Sequence, residues 1–167
     1  MASFQDNVDE LQRLDYRIFK NGWTSLYWKN HILDTDIDWF KTENFKVIEF
    51  DCSSWTDQNK IHSDFKLQLN FPDYYGENLD ALNDCLSDIE IPDAGFVIVF
   101  RRFHCLDKNL AHSLLDIFAN SSRRHMLFGK KLLTLAQVDD SKYQIDSVGA
   151  CGVPWNDAEW LESKRGL

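Results

Sequence analysis

The run Phe96–Phe100, FVIVF, is apolar at every position. A strand with one face in water alternates apolar and polar residues. A run without alternation needs cover on both faces, as strands of a parallel sheet flanked by helices have. KLLTLAQV at 131–138 is a second such run, and FKVIEF at 45–50 supplies a third strand. Helical patterns lie between them. TDQNKIHSDFKLQL (56–69) is capped by Thr56 and places Ile61, Phe65 and Leu69 on one stripe. PDYYG (72–76) breaks it, ENLDALNDCLSDI (77–89) follows as another helix, and LAHSLLDIF (110–118) as a third. Strand, helices, strand, helix, strand predicts an α/β domain with a small parallel sheet of about three core strands packed with helices.

The flanking segments read differently. LDYRIFKNGWTSLYW (14–28) predicts a β-hairpin turning at Asn21-Gly22, the strongest short signal for a type I′ turn. DTDIDWFKTE (34–43) predicts a short helix opened by Asp34, with Ile37 and Phe40 inward. Beyond Asp139 the chain is irregular, except that Asn156 and Glu159 have capping-box spacing ahead of Trp160 and Leu161. Trp155 and Trp160 are expected to pin this tail to the core. The organisation is therefore 1–44 (hairpin and short helix), 45–138 (α/β domain) and 139–167 (tail), both ends packed on the core. An isolated hairpin is marginal in water, and this one is too apolar to stand exposed.

A hydrophobic content of 44% excludes disorder as a description of the whole chain. No apolar run approaches the roughly 20 residues that span a bilayer, so no membrane partner is expected. The start MASFQDNVDELQRLD lacks a signal-peptide pattern, which predicts a cytoplasmic protein. Cys52, Cys85, Cys105 and Cys151 form no CxxC pair, so reduced thiols are expected. The five histidines show no paired-ligand spacing, and neither metal nor cofactor is expected.

Charge is concentrated in one place. Between Lys66 and Arg101 there is no Lys or Arg but there are seven carboxylates: Asp73, Glu77, Asp80, Asp84, Asp88, Glu90 and Asp93. This stretch carries -7 of a net charge of -9. On a helix over 77–89, Glu77, Asp80, Asp84 and Asp88 fall within roughly 40° of one line, and Leu79, Leu82, Leu86 and Ile89 oppose them. Like charges at i,i+4 each destabilise a helix by about 0.2–0.5 kcal/mol, so an unrelieved stripe points to a partner of opposite sign. Phosphates would be repelled, which excludes nucleic acid and favours a basic protein surface. Ahead of the stripe, Gly76 allows a bend, and adjacent Tyr74 and Tyr75 cannot both enter one core. One exposed tyrosine there would serve as an interface anchor, although Tyr74 covering the loop is the simpler reading. A hydrolase using Asp80 and Asp84 is disfavoured, because no His, Ser or metal cluster is near and exposed carboxylates make poor general acids at pH 7.

FPDYYGENLDALNDCLSDI (71–89) closely resembles the signature of the barstar family, intracellular proteins that inhibit ribonucleases. Pro72, Tyr74, Tyr75, Gly76, Asn78, Leu79, Asp80, Ala81, Leu82, Asp84 and Leu86 are in step with it, and the likeness extends more weakly over about 45–138. The resemblance implies a non-enzymatic inhibitor, or immunity protein, that inserts this loop and helix into the active site of a basic ribonuclease or nuclease toxin. The inhibitor would be a monomer before complex formation. Tyr74, Gly76, Asn78, Leu79, Asp80 and Asp84 would then be contacts, with Asp84 central, and Asn83 and Asp88 complete the partner-binding set. Two positions depart from the family pattern: Asn83 stands where the best-studied type of member has tryptophan, and neutral Asn120 falls where a further acidic contact is expected. An adaptor for a non-nuclease basic protein is the alternative.

Overall fold

Four parallel strands in the order β1-β4-β3-β2 form the only sheet among the residues described, 2–167, in the computed structural model. In chain order the elements are α1 (Val8–Gln12), α2 (Leu14–Lys20), β1 (Thr24–Tyr27), α3 (Asn30–Thr42), β2 (Lys46–Asp51), α4 (Gln58–Gln68), α5 (Leu79–Ser87), β3 (Phe96–Arg101), α6 (Lys108–Met126) and β4 (Leu132–Gln137). Side chains alternate across a strand, and here both sides are covered. Phe96, Ile98 and Phe100, with Leu132 and Ala136, pack under α4, α5 and α6 through Phe65, Leu82, Leu86 and Phe118. Val97, Val99, Leu133 and Leu135 pack under α2 and α3 through Ile18, Leu33, Ile37 and Phe40. That is why FVIVF has no polar position.

The expected hairpin does not form. Residues 14–20 are helix α2, and Asn21-Gly22 ends it. Trp23 N–H donates to Ile18 O (3.2 Å) and Gly22 N–H to Phe19 O (3.3 Å), with positive φ at Gly22 (104°) and Trp23 (65°). These bonds form a Schellman cap. A helix C-terminus and a type I′ turn both need left-handed backbone, so Asn-Gly serves either. β1 then runs parallel to β4, with Thr24 opposite Thr134 and Tyr27 opposite Gln137, and the sheet has four strands rather than three.

Smaller differences concern helix ends. α3 begins at Asn30, ahead of Asp34, whose carboxylate instead meets Arg101 at 2.6 Å. α4 is capped by Asp57, which accepts from Lys60 N–H at 2.9 Å, and not by Thr56. α6 extends to Met126, well past 118.

The tail lines the outer edge of β1. Leu26 N–H donates to Pro154 O (2.8 Å), and Leu26 O accepts from Asn156 N–H (2.9 Å). Asn156 and Glu159 do pair, Nδ2 to Oε2 at 2.6 Å, but they open no α-helix. Buried Glu159 accepts instead from Trp28 N–H (2.8 Å) and Lys29 N–H (2.9 Å), the residues that lead into α3. Trp155 is half-buried beside Leu26, whereas Trp160, expected to pack inward, is 65% exposed. Among the described residues, no helix is long and apolar enough to cross a membrane.

Candidate functional site

The loop 71–78 is built around one inward tyrosine. Tyr75 N–H closes a turn on Pro72 O at 2.9 Å, and its ring lies 4.9 Å from that of Phe71. Its hydroxyl reaches Nδ1 of buried His62 on α4 at 2.5 Å. Burial raises the phenol above its ordinary range and lowers the imidazole below its own. The contact therefore joins a protonated phenol to a neutral ring, with the donor set by the imidazole tautomer. With Tyr75 5% exposed, adjacent Tyr74 is turned out to 83% exposure.

The bend into α5 is made by Glu77, at φ 51°, and not by Gly76. A left-handed non-glycine residue costs of order 1 kcal/mol, and such outliers concentrate at ligand-facing loops. Gly76 matters for close approach, since a Cβ there would lie 3.3 Å from Ala81 Cβ. Asn78 caps α5, its Oδ1 accepting from Ala81 N–H at 2.8 Å and its Nδ2 donating to Gly76 O at 3.2 Å. Leu79 is half-buried against the core.

α5 buries Leu82 and Leu86 and turns its acidic face outward. Asp80, Asp84 and Asp88 are all exposed, as are Asp73, Glu77 and Glu90 around them. Asp80 sits in the first turn, where the helix dipole favours it, and Asp88 at the C-cap, where the dipole opposes it. Elsewhere some carboxylates find cations: Arg101 binds Asp34 and Glu49 (2.6 and 2.7 Å), and Lys60 binds Asp64 (2.8 Å). Of the seven clustered carboxylates, Asp93 pairs with Lys130 at 2.8 Å, which holds its carboxyl below the usual range. Among the described residues, the other six have no ion-pair partner. A groove of about 450 Å³ runs beside the stripe, lined by Tyr74, Asp84, Cys85, Asp88, Glu90 and Lys46 among others. Lys46 directs its ammonium over the Phe96 ring at 4.7 Å. Partial burial, reinforced by Asp88 and Asp84, pushes the Cys85 thiol up.

α6 holds α5 in place through contacts that the sequence reading missed. Arg124 donates to Asn83 Oδ1 (3.0 Å) and O (3.3 Å). Ser121 Oγ (3.1 Å) and His125 Nε2 (2.8 Å) both reach Leu86 O. Leu86 O lies in the last turn of α5, where a carbonyl has no partner within its own helix, and these two groups satisfy it. The visible signal was Arg123, Arg124 and His125 in succession at the end of a helix. Asn83 is thus held against α6. Asn120 is bound locally too, donating to Asp116 Oδ2 (3.1 Å) and accepting from Arg123 (2.6 Å), while Asp116 Oδ1 accepts from Gly149 N–H in the tail (2.8 Å).

The structure therefore brings Tyr74, Asp80, Asp84 and Asp88 to one outer surface. Gly76, Asn78 and Leu79 support its geometry, and Asn83 joins it to α6.

Comparison with known proteins bears on this geometry. The family model described as "Barstar (barnase inhibitor)" matches residues 45–136. A Bacillus subtilis (strain 168) protein named "Putative ribonuclease inhibitor YrdF" is 58% identical over 33 residues, 19% of this chain and 36% of that protein, so the chain aligns with about a third of that relative's length. Among solved structures, a chain from "Structure of Drosophila ORC bound to AT-rich DNA and Cdc6" overlaps 74% of this chain and 43% of its own, at a TM-score of 0.47 and 16% identity, a likeness too loose to carry any argument. The family match spans more than half of the sequence and contains β2, β3, α4, α5, α6, the loop between α4 and α5, and all of β4 but its last residue. The chain belongs to the Barstar family.

Proposed function

We propose that this protein is a non-enzymatic inhibitor, or immunity protein, of a ribonuclease or related nuclease toxin. The Tyr74 loop and the outer face of α5 enter the nuclease active site. Asp80, Asp84 and Asp88 there stand in for substrate phosphates, meeting the cations that bind the nucleic-acid backbone. The observation that carries this reading is the bare acidic stripe. Asp80, Asp84 and Asp88 share one exposed helix face with no cation paired to them among the described residues, in a stretch without Lys or Arg, and an exposed tyrosine adjoins them. Opposite-sign surfaces of this kind speed encounter and fix orientation.

The test is inhibition by purified full-length chain of a panel of basic nucleases, with barnase among them and the nuclease encoded nearest its gene. The expected result is loss of one nuclease's activity at a one-to-one ratio, with an association rate that falls steeply as salt rises past the point where screening shortens to about 8 Å. A partner that is neither basic nor a nuclease sinks the reading. An adaptor role would use the same stripe. It gains some support from Asn83 and Asn120, both neutral and already engaged with arginines, and binding without inhibition would establish it.

A further inference from the structure

A second groove lies beside the segment that follows α5. About 460 Å³ in volume, it is lined by Ile89, Glu90, Pro92, His125, Phe128 and Lys130 among others. Ile89 and Glu90 line both grooves, so the two adjoin each other. One end of this track carries Tyr74. The other carries the α6–β4 turn, where Leu127 and Phe128 stand 68% and 73% exposed. Two adjacent large apolar residues facing water are an unusual use of a turn that need only be polar. The turn is held firmly: Gly129 N–H donates to Met126 O (3.0 Å) and Lys130 N–H to His125 O (3.1 Å). The main chain that carries Phe128 is therefore held in place, which lowers the backbone part of the ordering cost of using it in a contact. Charge along the track stays negative. Lys130 is neutralised by Asp93, His125 is engaged with Leu86 O, and Glu90 has no partner.

We propose that the docking surface runs beyond α5 onto this turn, with Phe128 as a second aromatic anchor. The occupant is the basic nuclease of the preceding section, on which this inference rests. It would carry an apolar socket at the rim of its cationic cleft, one track-length from the socket for Tyr74. An aromatic at each end of a carboxylate row fixes the direction in which a cationic ridge can lie.

The experiment measures dissociation of the full chain from the nuclease it inhibits, starting with barnase, for Phe128→Ala, Asp84→Ala and, as a control, Trp160→Ala, exposed on the tail. Phe128→Ala is expected to speed dissociation and weaken affinity by about tenfold or more, with Tm unchanged and Trp160→Ala neutral. If Phe128→Ala stays within about twofold of wild type while Asp84→Ala loses binding, this inference is overturned and the inhibitor reading stands. If Asp84→Ala binds normally, or no nuclease binds at all, both fall. Should Phe128→Ala lower Tm, deuterium exchange on the wild-type complex decides. Slowed exchange over 126–130 supports the second anchor, and unchanged exchange there overturns it.

Discussion

Asp84 and His62 serve the site in opposite ways, one facing out and one buried. Asp84 lies mid-stripe with Asp80 and Asp88 one turn away on either side, so removing it relieves two like-charge pairs at about 0.2–0.5 kcal/mol each. In a complex its removal leaves the partner's cation unpaired, at a cost of about 2–5 kcal/mol, a range that already includes complexes of this family. Asp84→Ala is therefore expected to melt at the same or a higher temperature while losing most inhibition, and undiminished inhibition would place the site elsewhere. His62 supports the loop from beneath, through Tyr75. Burial lowers its folded pKa below the ordinary value near 6.5. As pH falls, the unfolded chain takes up the proton first, so His62's contribution to stability is full above about 6.5 and is lost as pH drops towards the folded pKa. Thermal melts from pH 7.5 to 5 should show a steeper fall for wild type than for His62→Gln. Identical slopes would mean that the imidazole is not held neutral.

Among the elements, α3 gives the clearest test. Lys29 at its N-cap offers no side-chain hydrogen bond, and the N–H groups of Trp28 and Lys29 rely on Glu159, which is remote in sequence. Glu159→Ala would leave two part-buried donors without their carboxylate, at up to about 1–3 kcal/mol each. Calorimetry should find a clear drop in Tm, and a shift under one degree would show that water replaces the carboxylate. This contact also shows where sequence reading stops. Glu159 was singled out for its spacing from Asn156, and they do pair, but no local rule shows that its carboxylate serves the far end of the chain. FVIVF gave β3 because burial on both faces leaves a compositional trace, and the stripe on α5 gave its own orientation because the 3.6-residue period places like charges together. LDYRIFK was misread because Leu14 and Ile18 fit an apolar helix stripe as well as a strand, and Asn-Gly punctuates either. Arg124 on Asn83 stayed invisible since pairing between helices depends on how they dock.

At the scale of the molecule, the two added segments complete the sheet. Without α2 and α3, Val97, Val99, Leu133 and Leu135 would face water, and without β1 the edge of β4 would lie open to pairing with another chain. Asp15 adds a fixed point: fully buried, it meets Lys131 at the foot of β4 (3.1 Å) and Arg13 (3.1 Å). Deleting 1–44 is therefore expected to lower solubility and Tm together, whereas a soluble 45–167 with an unchanged melt would make the extension an independent module. The tail on β1 has a further consequence, in time. Asn156 contacts Leu26 across a separation of 130 residues. At synthesis rates of about 5–20 residues per second, β1 waits roughly 7–26 s for the segment that closes it. For most of that interval, until β4 is made, its apolar residues have no neighbouring strand to join. A nascent chain therefore gains its acidic face before its outer edge is sealed, and a ribosome that stalls late leaves an incomplete protein with the acidic helix already made.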